Sequence, residues 1–203
     1  MIPTRQQAEA VLVEALPHNP GPWERHSRLV AHCARRIAAA CPDGELDPET
    51  AWVLGLLHDI GRRFGKGHLR HVYDGWKYML SLGWAENAQI CLTHSFNRQT
   101  LEDYVGNNDL TAAEYAALEQ ALAQTEYTDY DRLIQLCDCL AGGKGILDME
   151  ERMADVRRRY GSYPQEKWDQ NLALKADFER RTGRDLYDIV KEGLENEGMG
   201  PAL

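Results

Sequence analysis

Leu54-Gly55-Leu56-Leu57-His58-Asp59-Ile60-Gly61-Arg62-Arg63 is the stretch whose reading decides the rest. It begins as an apolar helical run and ends in an adjacent imidazole and carboxylate, followed by a glycine and two arginines. A carboxylate at the end of a buried helix is costly unless something neutralises it, and a shared metal ion does so. The dipeptide alone is common, so its meaning depends on what other segments bring to it.

Upstream, Asp47-Pro48-Glu49 is a strong helix start, a capping Asp followed by Pro at the first helical position. The helix it opens carries Trp52, Val53, Leu56, Leu57 and Ile60 on its way to His58 and Asp59. An earlier helix is expected from about Pro22 to Ala40, with an apolar stripe of Leu29, Val30, Cys33 and Ile37. His26 extends that stripe backwards and points inward. His32 shares a face with Arg28, Arg35 and Arg36, which predicts exposure to solvent. A short first helix, Arg5 to Leu16, is stopped by Pro17.

Downstream, Gly61 to Gly67 reads as a basic, Gly-rich connection. His71 opens the next helix and shares its apolar face with Gly75, Tyr78, Met79 and Leu82, Gly75 permitting close helix approach. A helix from Ala85 to His94 places Ile90 and Cys91 one turn before His94, which therefore faces inward. Ser95 to Leu110 reads as a polar loop. Thr111-Ala112-Ala113-Glu114 is a capping box for a helix to about Gln124. Thr128 or Asp129 caps the next, in which Asp138 lies on or beside the face of Leu133, Ile134 and Cys137. Further helices are expected over Leu147 to Tyr160, Pro164 to Arg181 and Asp185 to Asn196, with a frayed end from Glu197. No period-2 alternation is long enough for a sheet, so the fold class is all-α.

Composition narrows the function classes. The chain has 203 residues and a net charge of -9, which argues against a broad nucleic-acid surface. No apolar run approaches the roughly 20 residues of a membrane span, and Met1 to Glu14 lacks the apolar core of a signal peptide. A cytoplasmic protein is the expectation. Five cysteines without a C-x-x-C suggest neither a disulfide framework nor a zinc ribbon, and Cys33, Cys91 and Cys137 read as small core residues.

Four expected helices thus direct His26, His58 with Asp59, His94 and Asp138 to the interior, and His71 adds a fifth contribution. Imidazole mixed with carboxylate suits iron, manganese, nickel or zinc. Four His and two Asp exceed the needs of one catalytic ion and suit two that share a bridging carboxylate and water. A lone inward His is more often a hydrogen-bonded core residue than a ligand; four of them beside two Asp are harder to explain in that way. His18, His32 and His68 are assigned to loops or a solvated face.

The order His26, then His58-Asp59, then Asp138 resembles the HD-domain superfamily of metal-dependent phosphohydrolases, and His58-Asp59-Ile60-Gly61-Arg62 matches the common form of its motif. His71 with Gly75, then Thr93-His94, is similar to the extra histidines of its two-metal subgroup. Ser95 stands where many two-metal members carry another His. The resemblance spans about Trp23 to Gly142. It implies a helical bundle around a buried metal site, within a single all-α domain 1–203 whose C-terminal extension covers about 146–196. It implies hydrolysis of a phosphoester or phosphoanhydride bond, usually in a nucleotide. His26, His58, Asp59 and Asp138 would hold the first ion, and Asp59, bridging, with His71 and His94 the second; iron ranks first, then manganese, nickel or zinc.

Asp59 and Arg62 are the expected catalytic residues, and Arg62, Lys66 and Lys144 the candidate phosphate-binding cations. For Arg63, Lys66 and Arg70 a solvated loop is the plainer reading. Glu102 and Asp103 are read as surface charge, and Tyr160, Tyr163 and Trp168 as ordinary packing rather than a substrate pocket or dimer contact. A small phosphorylated substrate is the expected partner, and a homodimer is left open. Two other readings remain: a di-iron oxygenase built on the same ligands, and a non-catalytic module that binds a nucleotide or partner.

Overall fold

Short polar side chains open most of the helices where the sequence places them. The computed structural model describes residues 1–42 and 44–194. Helix α1 (Arg5–Ala15) starts at Thr4, which caps Gln7 N and is capped in return. Helix α2 spans Trp23–Ala40, and α3 spans Pro48–Leu57 behind Asp47, whose carboxylate accepts from Thr50 N at 2.7 Å. Helices α4 (Arg70–Ser81) and α5 (Ala85–Thr93) follow. Capping boxes at Thr111 and Thr128 open α6 (Ala112–Gln124) and α7 (Asp129–Leu140). Asp148 caps α8 (Met149–Tyr160), and α9 (Gln165–Thr182) and α10 (Leu186–Lys191) end the described chain. Among the described residues, extended pairing is limited to one antiparallel bridge, Ala141 with Ile146. The fold is all-α.

Three elements depart from expectation. The connection after Asp59 is a 3-10 turn, Ile60–Phe64, rather than open loop. The segment 95–110 contains a second such turn, Leu101–Asp103, and buries Phe96, Asn97 and Leu101. Asp103 is buried as well and is no surface charge. Helix α10 stops at Lys191 instead of reaching Asn196; the expected frayed end from Glu197 lies outside the described residues.

Packing is tightest where side chains vanish. A Cβ on Gly55 of α3 would sit 2.9 Å from Ala31 Cα of α2, so the two backbones touch. One apolar cluster joins Leu29, Ile37, Leu133 and Ile134 to Met153 and Phe178 of the C-terminal helices. The extension therefore shares a core with α2 and α7. Each large side chain buried there contributes roughly 1.5–3 kcal/mol. Among the described residues no helix is long and apolar enough to cross a membrane.

His32 corrects the expectation of solvent exposure. It is 1% exposed, and its Nε2 lies 3.0 Å from the carbonyl of Val190, to which it donates. The local pattern placed it among arginines on the outer side of α2; α10 packs across that side and covers it.

Candidate metal centre

Helix α3 ends at Leu57, so His58 and Asp59 stand at the junction with the 3-10 turn. His26 comes from the first turns of α2, His71 from the start of α4, His94 from the end of α5, and Asp138 from the last turn of α7. The junction is held against α4 by an absent side chain: a Cβ on Gly61 would fall 1.9 Å from the carbonyl oxygen of His71. Gly75 meets Gly61 from the other side, its own Cβ position lying 3.2 Å from Gly61 N.

All four inward histidines are oriented alike. His26 Nδ1 lies 3.1 Å from the Ala141 carbonyl, His58 Nδ1 2.8 Å from that of Gly55, and His94 Nδ1 3.0 Å from that of Cys91. His71 Nδ1 faces the carbonyl of His68. A carbonyl only accepts, so each Nδ1 carries the hydrogen and each Nε2 presents a lone pair. Those lone pairs converge. His26 and His58 Nε2 are 3.2 Å apart, and His71 and His94 Nε2 are 3.3 Å apart. Ring nitrogens facing each other at such distances are the arrangement that a shared cation would occupy. Backbone carbonyls that fix the tautomer are the usual outer support of metal-ligating histidines.

The carboxylates complete two sets. Asp59 Oδ1 lies 3.1 Å from His71 Nε2 and 3.7 Å from His94 Nε2. Asp138 Oδ1 lies 2.9 Å from His26 Nε2 and 3.9 Å from His58 Nε2. His26, His58 and Asp59 form one group with ligand atoms close enough for a common ion, and Asp59, His71 and His94 form another. Asp59 belongs to both. Its Oδ1 is buried without a hydrogen-bond partner, an orphaned anionic oxygen where a shared ion fits. The residues present therefore suit a pair of divalent ions.

Electrostatics agree with this arrangement. Burial opposes ionisation of Asp59, but the charge of Arg62 above all holds its carboxyl well below the usual range. Burial likewise opposes ionisation of Asp138, and the contact with His26 and the charge of Arg152 outweigh it. Burial, reinforced by the neighbouring His58, pushes His94 down to about 3, and burial also lowers His58. The carboxylates are thus charged and these two imidazoles neutral at neutral pH, the forms that ligate metal.

The centre opens into a cavity of about 710 Å³. His26, Asp59, His71, His94 and Asp138 reach its wall, while His58 stands behind them. Arg62 lines it and donates from Nε to Asp59 Oδ2. Lys66 lines it from an exposed position; Lys144 is exposed and is not among the lining residues, Gly143 taking that place. Arg63 and Arg70 are not free loop cations: Arg63 pairs with Glu14 and Tyr78, and Arg70 with Glu114 and Asp109. Tyr160 and Tyr163 line the cavity, the role ranked below packing for them, while Tyr163 also packs against the apolar core as expected. Trp168 packs against the apolar core.

Sequence reasoning missed Tyr104, Arg152 and Lys167 on the cavity wall. Tyr104 sits in a segment read as polar loop. Burial raises its phenol pKa, so the hydroxyl keeps its proton. Arg152 looks like one charge among many on α8, and Lys167 like one on α9; no local pattern marks either.

No curated protein and no solved structure matches the chain closely enough to be called similar. Among protein families, the one described as HD domain matches residues 23–143, more than half of the chain, from the first residue of α2 to just beyond α7. Its span contains every residue of the two His/Asp groups and Asp138. The chain belongs to the HD-domain family.

Proposed function

We propose that this protein is a metal-dependent phosphohydrolase, cleaving a phosphoester or phosphoanhydride bond of a small phosphorylated compound, with nucleotides the first class to test. The observation that carries this reading is the pair of ligand sets sharing Asp59 on the wall of a cavity of about 710 Å³. That volume lies within the range of small-molecule sites. His26, His58, Asp59 and Asp138 would hold one ion, and Asp59, His71 and His94 the other. Bound there, iron, manganese, nickel or zinc would supply Lewis acidity, lowering the pKa of water towards neutrality and offsetting phosphoryl charge.

The side chains do the positioning. Asp59 stays ionised in a buried place because the charge of Arg62 stands against it. Arg62 spends Nε on Asp59, which leaves its terminal nitrogens for phosphate oxygens. Tyr104 keeps a protonated hydroxyl in the cavity, a donor for a leaving oxygen. Lys66 adds positive potential from its exposed position on the same wall.

The test is elemental analysis of protein purified without chelator, followed by a screen of phosphoesters with the metals found. About two ions per chain and release of phosphate support the proposal. Iron with oxygen uptake and no phosphate release would favour the oxygenase chemistry that such ligand sets also serve. No bound metal after reconstitution would overturn the catalytic reading and leave a binding module.

A further inference from the structure

The arginines that line the cavity are each matched by a carboxylate. Arg62 faces Asp59, Arg152 faces Asp138 at 3.5 Å, and Arg159 faces Asp155 at 2.9 Å. Lys167 of α9 is different. It lines the cavity, and its Nζ donates to the carbonyls of Ser95 at 2.8 Å and Asp103 at 3.0 Å. Among the described residues, its ion pairs include no carboxylate within 4 Å. Asp103, whose carbonyl it touches, directs its carboxylate to Arg98 at 3.4 Å.

Its placement is built rather than incidental. Asn97 donates from Nδ2 to the Lys167 carbonyl at 3.1 Å and to Asn171 Oδ1 at 2.7 Å. Asn171, 2% exposed, donates in turn to the Tyr163 hydroxyl at 2.9 Å. This buried network fixes α9 against the segment that follows His94, and Lys167 with it. Burial lowers the ammonium's pKa, and the more distant charges of Asp103 and Asp138 offset this only in part. An ammonium with two of its three N–H groups given to carbonyls and no carboxylate in direct contact has one donor left for an anion in the cavity.

We propose that Lys167 binds a second anionic group of the substrate, so that the compound hydrolysed carries a phosphate or carboxylate besides the one at the metal centre. This rests on the phosphohydrolase reading for the word substrate, but the binding site itself does not depend on turnover. Lys167 lies outside the segment 23–143 that matches the family. Selection for a doubly anionic compound is then a property of this chain's own extension.

The experiment titrates the metal-loaded protein calorimetrically with AMP, ADP and adenosine 3′,5′-bisphosphate. These share one base and differ in the number and spacing of phosphates. Where a compound is turned over, KM is read from the heat rate in place of a dissociation constant. At least one doubly phosphorylated compound is expected to bind about tenfold or more tightly than AMP, as suits a charge-assisted contact. In Lys167→Met that preference should collapse to within about twofold, with AMP binding and metal content unchanged; Lys167→Arg should keep part of it. The proposal is overturned if neither compound exceeds AMP, or if the preference survives in Lys167→Met. It is also overturned if Lys167→Met weakens all three alike, since Lys167 would then be a tether between α9 and the segment after His94. Failure of the native protein to release phosphate from any compound would sink the hydrolase reading and leave the Lys167 comparison standing.

Discussion

Arg62 Nε stands 2.5 Å from Asp59 Oδ2, three residues along the chain and one turn of 3-10 helix away. In that geometry residues i and i+3 eclipse, so the turn after the HD dipeptide aims the guanidinium at the carboxylate shared by both ligand sets. Arg62→Ala is expected to lower kcat/KM for a phosphoester by about 100-fold or more, with the metal per chain retained. Arg62→Lys should recover only a small part, because an ammonium lacks the fork that serves carboxylate and phosphate together. Steady-state kinetics with parallel elemental analysis checks both.

Asp59 and His94 should differ in what their loss does to metal. Asp59 belongs to both groups, so Asp59→Ala is expected to leave almost no bound ion. His94 belongs to one, so His94→Ala should retain about half the native content. Equal content in the two variants would argue against a shared carboxylate. Chelation of the native protein should lower its melting temperature, since ions bind the folded chain and not the unfolded one.

Acid should destabilise the metal-free chain from a higher pH than carboxylates alone would bring. His94 is pushed down to about 3 and His58 is lowered too, against about 6.5 in the unfolded chain. Below about 6.5 the unfolded state then binds more protons than the folded one, so stability falls as pH drops towards 3. Asp59 and Asp138, both lowered, extend the loss below about 4. The expected total is on the order of a few kcal/mol, read from urea unfolding at pH 7, 5.5 and 4.5. A flat profile across that window would show that these imidazoles are not held neutral.

Gly61→Ala has no room. The added methyl would meet the His71 carbonyl oxygen at 1.9 Å, and that oxygen belongs to a helix backbone which cannot turn aside. A loss of about 3 kcal/mol or more is expected, with weaker metal binding because His71 is displaced with its helix. Phe178→Ala, far along α9 yet 0% exposed in the core shared with α2 and α7, should cost about 3–5 kcal/mol and leave the metal content of the folded fraction unchanged. Denaturant titration separates the two, since metal content follows stability only in the glycine variant.

What could be read in advance was what is local or periodic. Thr111 with Glu114 and Asp47 with Pro48 announce their helices through contacts three residues long. His26, His71 and His94 announce their direction by sharing a face with apolar neighbours at helical spacing. The short ordered motif around His58 supplied the family, which the match over residues 23–143 bears out. What escaped were features made by distant segments meeting. His32 looks exposed on its own helix and is covered by α10, 158 residues away. Tyr104, Arg152 and Lys167 acquire meaning only from the cavity they line, as do Tyr160 and Tyr163. Lys144 shows the reverse: closeness in sequence to Asp138 did not put it on that wall.

The core common to the HD segment and the last three helices ties two kinds of work together without mixing them. Every candidate ligand comes from the stretch that the family shares, whereas Arg152, Tyr160, Tyr163 and Lys167 come from the stretch beyond it. The candidate ligands and one side of the cavity wall are therefore written on separate lengths of chain. On the proposed reading, substitutions along α8 and α9 would alter that side of the wall while every donor atom of the candidate centre stays untouched.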